Sequence, residues 1–225
     1  MKNPLPAATP ETMRKIPTQQ RALQTIETIF QATAQIVEAE GEAGLSTNKV
    51  AQKAGFSIGT LYQYFPSKEA ILLAMVNRER RRVMGQLEAL LDQAELTRLE
   101  PKVLLRQFIR INTEGFGTGS GVAAKSRRAL IRVAWRMDQH EVIAQALRET
   151  TERIAIALQR LNHPDLRPPT PALMFVVTRA VIGVIRSASM EQSPLLGSQE
   201  LDDELFQLAW GVMAANPGRP GSQSR

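Results

Sequence analysis

Between Ser46 and Ile71 the chain reads STNKVAQKAGFSIGTLYQYFPSKEAI, a stretch rich in hydroxyls and amides, with no carboxylate before Glu69. Ser57, Thr60 and Tyr64 fall on one helical stripe at i, i+3 and i+7, flanked by Gly59, Tyr62 and Gln63. Such a surface suits a groove lined with phosphates, because neutral donors can reach the oxygens and nothing negative repels them. Lys68 stands at the start of the next helix, where a cation and a helix N-terminus would meet one phosphate together. The same residues also fit a plain helical hairpin with two exposed tyrosines, since Ala-x3-Gly-x5-Leu arises by chance.

Positioning that surface takes two short helices and a tight turn, the layout of a DNA-reading helix-turn-helix. The pattern predicts one helix over Asn48 to Ala54, with Thr47 as its N-cap, and another from about Ile58 to Phe65. Ala51 must be small where the helices approach, and Gly55 supplies a turn conformation that costs most residues energy. Val50, Phe56, Leu61 and Phe65 provide the apolar inside. Upstream, Ala22, Ile26, Ile29, Thr33 and Val37 repeat at helical spacing from Thr18 to about Glu40, and Gly41 and Gly44 end that helix. Pro66-Ser67 is the next break, and Ser67 can cap a long helix running from Lys68 into the 90s.

Further breaks fall at Glu100-Pro101, Gly115 to Gly121, near Asp138, Asn162 to Pro171 and Pro194 to Ser198, leaving five more helical stretches. No run alternates as a strand would. The expected fold is all-α, about nine helices: an N-terminal three-helix helix-turn-helix domain (18–67), then a larger helical ligand-binding and dimerisation domain (68–216). Residues 1–17, with their prolines, and the Gly/Pro/Ser-rich 217–225 read as disordered tails.

Other chemistries fit poorly. The 225 residues include no cysteine, which removes disulfides, thiol catalysis and Cys-based zinc sites and suits a cytoplasmic setting. His140-Glu141 opens a zinc-protease pattern, but Ala144 stands where its second histidine belongs, and His163 lies apart before Pro164. Gly119 to Ser126 approaches a phosphate-binding loop, but Ala124 replaces the second glycine and no strand precedes it. Gly115-x-Gly117 likewise opens a dinucleotide pattern that Ser120 fails to complete. No cofactor, metal or catalytic residue is expected. No uninterrupted apolar run reaches the ~20 residues of a membrane span; 172–185 comes nearest and carries Thr178 and Arg179. A net charge of +6 and a pI near 10.1 favour a polyanionic partner.

The segment LSTNKVAQKAGFSIGTLYQYFPSKEAIL, following a helix that ends near Gly41, resembles the DNA-binding domain of the TetR (tetracycline-repressor) family of bacterial regulators. The sub-pattern Gly59-Thr60-Leu61-Tyr62-x-Tyr64-Phe65-x-Ser67-Lys68-Glu69 carries the likeness, which covers roughly residues 18–75. The resemblance implies that Thr47 touches a phosphate, that Thr60, Tyr62, Tyr64 and Lys68 hold the DNA backbone, and that Ser57, Ile58 and Gly59 face base edges. Asn48 and Gln63 would add contacts. Arg14 and Lys15 would form either a minor-groove arm or a solvated end. The function implied is a homodimeric repressor that leaves operator DNA when a small molecule binds. A regulator that activates, or that needs no ligand, would carry the same domain. A helical protein using a cavity for substrate chemistry or lipid carriage is the rival outside DNA binding.

In the second domain, residues 171–191 are apolar nearly all round and need cover on every side, which either a central core position or a second copy would give. The resemblance implies that this helix and the one near 199–215 pair with their copies in a four-helix bundle. It also implies that the long helix from Lys68 relays ligand binding as a small pendulum movement. Its Arg78, Arg80, Arg81 and Arg82 fit a solvated or salt-bridged face. A ligand cavity is expected among the long helix and the segments near 101–115, 121–137 and 140–161. Phe108, Ile111, Phe116, Trp135, Met137, Leu147 and Met174 would line it, with Gln107, Asn112 and Thr178 as polar handles; plain core packing fits each of them too. The effector expected from the resemblance is apolar or aromatic.

Overall fold

A computed structural model describes residues 20–118, 131 and 140–215 of the chain. Both tails, Arg14, Lys15, Trp135 and Met137, and all of the segment near 121–137 except residue 131, lie outside the described residues.

Among the described residues the fold is all-α. The helices are α1 (Gln20–Glu40), α2 (Thr47–Ala54), α3 (Ile58–Tyr64), α4 (Lys68–Thr97), α5 (Pro101–Gly115), α6 (His140–Leu161), α7 (Pro171–Met190) and α8 (Gln199–Met213), with a 3-10 turn at Glu42–Gly44. Side-chain caps set many of the starts. Ser46, Ser57 and Ser67 accept from the amides of Lys49, Thr60 and Ala70, so a serine opens each of α2, α3 and α4. Thr170 and Ser198 do the same for α7 and α8. Each such cap is worth about 1 kcal/mol. The cap of α2 is thus Ser46 and not Thr47, which becomes the first helical residue and keeps its hydroxyl for other partners.

The chain divides into two compact units. The first runs through Arg82, well past Pro66, because Ala70, Ile71, Leu72, Ala74 and Met75 of α4 pack into the same core as Ile29, Phe30, Val50, Leu61 and Phe65. Phe65, directly after α3, is fully buried, with its ring 5.8 Å from that of Phe30. Arg78 pairs with Glu27 at 2.5 Å and stacks over Phe30, and Arg82 pairs with Glu79, so these two members of the basic run serve this unit as ion-paired surface.

The second unit comprises Val83–Thr118 and the described residues from His140 onward. Its core joins Leu87, Leu90 and Leu91 of α4 to Leu104, Leu105 and Ile109 of α5, Ile154 and Leu158 of α6, Val181 and Ile185 of α7, and Leu205 and Phe206 of α8. Lys102 and Arg106 on α5 lie over Trp210 and Phe206, and Arg106 also pairs with Asp203, which latches α5 to α8. By length and composition α7 is apolar enough to cross a bilayer, and much of it is not buried within this unit. Phe175 is 58% exposed and Val176 is 52% exposed, and Val184 and, on α8, Leu208 are exposed as well.

Candidate nucleic-acid interface

The turn between α2 and α3 rests on Gly55, at φ +73°, in the left-handed region. Its amide donates to the Gln52 carbonyl and that of Phe56 to the Ala51 carbonyl, closing α2. A Cβ at Gly55 would meet nothing within 4 Å, so the requirement for glycine is conformational and not steric.

On α3 the buried residue is Leu61, fully enclosed. At about 100° per residue, Gly59 and Gln63 each lie about 160° around the helix from Leu61 and point most directly outward. Tyr62 and Thr60 lie about 100° away on opposite sides. The exposed residues are accordingly Ser57, Ile58, Gly59, Tyr62 and Gln63, while Thr60 and Tyr64 are half-buried. The stripe expected from Ser57, Thr60 and Tyr64 is therefore not the outermost one. The Tyr64 ring packs against the first unit's core, and Ser57 and Thr60 turn their hydroxyls on each other at 2.9 Å.

Around the start of α2 the structure gathers three of the expected residues. The Thr47 and Tyr62 hydroxyls lie 3.3 Å apart, joining α2 to α3. Lys68, half-buried, donates from Nζ to the Leu45 carbonyl at 3.2 Å, so its ammonium sits two residues before Thr47 and not at the start of its own helix. The amides of Thr47 and Asn48 are first-turn donors with no helical carbonyl to pair with. Two hydroxyls, an ammonium and a helix N-terminus thus share one small region, with Asn48 exposed beside it. Lys49 is drawn toward α1 by Glu40 at 2.5 Å. This arrangement can hold an anionic oxygen, and the chain from Leu45 to Lys68 carries no carboxylate of its own.

The residues expected to line a ligand cavity are distributed unevenly. Phe108 and Met174 are buried in the second unit's core, and Ile111 and Phe116 pack against it. Asn112 is buried but donates to the Phe108 carbonyl one turn back, so its amide nitrogen is engaged within its own helix. Gln107 is exposed on α5 and does not enter the core, because its neighbours Leu104, Leu105 and Phe108 take the inward side. Leu147 is half-buried on α6 and Thr178 buried on α7. They belong to a polar cluster absent from the sequence reading: Arg179 donates to the Thr151 and Thr178 hydroxyls, and the Thr151 hydroxyl donates to the Leu147 carbonyl. Burial, and secondly Arg148, lowers the Arg179 pKa. The only hint in the sequence was a charged residue inside an apolar helix. Among the described residues no group of three or more His, Cys, Asp or Glu could hold a metal ion.

Residues 29–75 match the family described as bacterial regulatory proteins, tetR family. The HTH-type transcriptional regulator EthR of Mycolicibacterium smegmatis is 32% identical over 105 residues, 46% of this chain and 47% of EthR. The HTH-type transcriptional repressor KstR of the same species is 37% identical over 68 residues, 30% of this chain and 31% of KstR. The chain thus spans at most about half the length of these two curated relatives. Among solved structures, SmeT, the repressor of the Stenotrophomonas maltophilia multidrug efflux pump SmeDEF, aligns with a TM-score of 0.64 at 20% identity, covering 88% of this chain and 94% of SmeT. Its complex with triclosan aligns at 0.62 and 18% identity, covering 89% of this chain and 96% of that one. At such identities the structural likeness concerns the fold, and it extends beyond the helix-turn-helix. Residues 29–75 are therefore a DNA-binding domain of the bacterial regulatory tetR family, set in a helical fold that extends past it.

Proposed function

We infer that this protein is a transcriptional repressor that binds operator DNA as a homodimer and releases it when a small molecule binds the second unit. The observation that carries the reading is the outward arc of α3. It presents Gly59 and Gln63 with no negative charge, beside the Thr47, Tyr62 and Lys68 cluster suited to a phosphate. In this reading Thr47, Thr60, Tyr62, Tyr64 and Lys68 hold the backbone, with Asn48 beside them, while Ser57, Ile58, Gly59 and Gln63 face the bases. Binding is the whole of the activity, with no catalytic step, and the protein works in the cytoplasm, where its DNA is.

The exposed apolar side of α7, with Leu208 on α8, supports the dimer, because leaving Phe175, Val176 and Val184 in water forgoes roughly 1.5–3 kcal/mol for each side chain that could be fully buried. A dimer places two recognition helices in successive major grooves, about 34–36 Å apart. The triclosan complex of SmeT supports an apolar or aromatic effector. A ligand releases DNA only in so far as it favours a different spacing of the two helices.

The test is fluorescence anisotropy of the purified protein with the DNA flanking its own gene, across a salt series. Selective binding that weakens steeply with salt is the expected result, and candidate effectors should then reverse it. Binding no tighter than to unrelated DNA, together with a genome-wide fragment selection that enriches nothing, would refute the reading.

A further inference from the structure

We propose that α3 reads A·T base pairs, with Gln63 on the edge of an adenine and Ile58 against the methyl group of a thymine. The proposal rests on the DNA-binding reading above and specifies what that site recognises. Several α3 side chains already have partners within the protein. The Ser57 oxygen caps the helix and pairs with Thr60, the Tyr62 hydroxyl meets Thr47, and the Tyr64 ring lies on the core. The outward arc then leaves the Gln63 amide, which has no hydrogen-bond partner among the described residues, and at the helix start Ile58, about 60° around from Leu61, keeps a side chain 37% exposed.

These two groups have narrow preferences. A carboxamide can give one hydrogen bond and take another, the pattern that adenine N7 and N6 present in the major groove. A branched aliphatic side chain has no polar atom to offer, and the thymine methyl is the apolar feature of that groove. The commonest specific contact, a bidentate arginine or lysine on guanine, is unavailable, because α3 (IGTLYQY) holds neither residue. Gly59 lies between the two with no side chain of its own and only the Ser57 oxygen, at 3.7 Å, near where a Cβ would stand; this lets the helix come close enough for a side chain as short as glutamine to reach a base edge.

The experiment selects duplexes from a randomised pool with the full chain, then measures anisotropy on the selected duplex and on modified versions. Enrichment of A·T pairs in each half-site is expected. Replacing the contacted thymine by deoxyuridine should weaken binding about 4-fold per half-site, the value of one buried methyl, and should have no further effect in Ile58→Ala. Replacing the contacted adenine by 7-deazaadenine should weaken binding about 5-fold or more, with the effect lost in Gln63→Ala. Both side chains are exposed, and unchanged thermal melting of the variants would separate loss of contact from loss of fold. Selective binding to half-sites read at G·C pairs, or base modifications that act equally on wild type and variants, would overturn this proposal while leaving the DNA-binding reading intact. A selection that enriches nothing would overturn both.

Discussion

Replacing Gly59 by alanine separates the needs of the fold from the needs of a partner. A Cβ at Gly59 would have the Ser57 oxygen as its nearest neighbour at 3.7 Å, an ordinary contact, and the backbone there is helical. The protein itself therefore gains from alanine, by up to about 1 kcal/mol in helix propensity and reduced freedom of the unfolded chain. In a chain of this size that raises the melting temperature by roughly 2–4 °C. The DNA complex should lose, because the added methyl stands on the most outward line of α3 and holds the helix off the bases. If the loss matches one impaired base contact, about 1–3 kcal/mol per half-site, a dimer loses at least about 2 kcal/mol, or roughly 30-fold in affinity. Differential scanning fluorimetry and anisotropy on one preparation read the two effects. A more stable Gly59→Ala protein with unchanged affinity would refute the placement of this face against DNA. A destabilised variant would refute the reading of Gly59 as free of packing constraints.

Further outcomes follow from other residues. Lys68→Met keeps the aliphatic stem but removes the charge at the α2 N-terminus; binding should weaken uniformly across sequences, and the slope of log affinity against log salt should fall by about 1 per half-site. Tyr64→Ala should lower stability by about 2 kcal/mol in chemical denaturation, because the ring packs on the core, whereas Tyr64→Phe should keep most of that stability. Val176→Asp should shift sedimentation of the protein from dimer toward monomer, with little loss of helical signal. Burial, reinforced by Asp203, raises the Asp202 pKa, so the folded state favours its protonated form; stability from this group is present at low pH and lost as pH rises through the raised value. Asp202→Asn should therefore raise the melting temperature at pH 7 by only about 1–2 °C, given the group's partial exposure, and the gain should vanish near pH 3.

Much of this was legible in the residues. Glycine and serine are strong local signals, and Gly55, Ser67 and the breaks at Pro66 and Pro101 place the described helices to within a few residues. The cap of α2 went one residue astray because Ser46 and Thr47 are both competent caps, and only the backbone conformation decides which stays outside the helix. The outward face of α3 was misjudged for a different reason. Seven residues make barely two turns, so a few exposed hydroxyls define a stripe poorly, and a tyrosine is long enough to fold its ring back onto the core. Gln107 and the Arg179 cluster illustrate a third limit. The side of α5 that faces inward, and the partner that Thr178 finds on α6, are tertiary facts that helical periodicity alone does not encode.

The shared ownership of α4 bears on how such proteins can be recombined. Its side chains up to Met75 belong to one core and those from Leu87 to another, with the division between the units falling at Arg82 and Val83. A fragment cut at Pro66 would lose part of its own interior, so a portable reading head must carry the helix to about Arg82. A chimera joined there must also keep helical phase. Within a continuous helix, one added residue turns the side chains that follow by about 100° and advances them by about 1.5 Å. A junction placed between the last buried side chain of one core and the first of the other is therefore where foreign sequence can enter this helix while each set of packed residues stays contiguous.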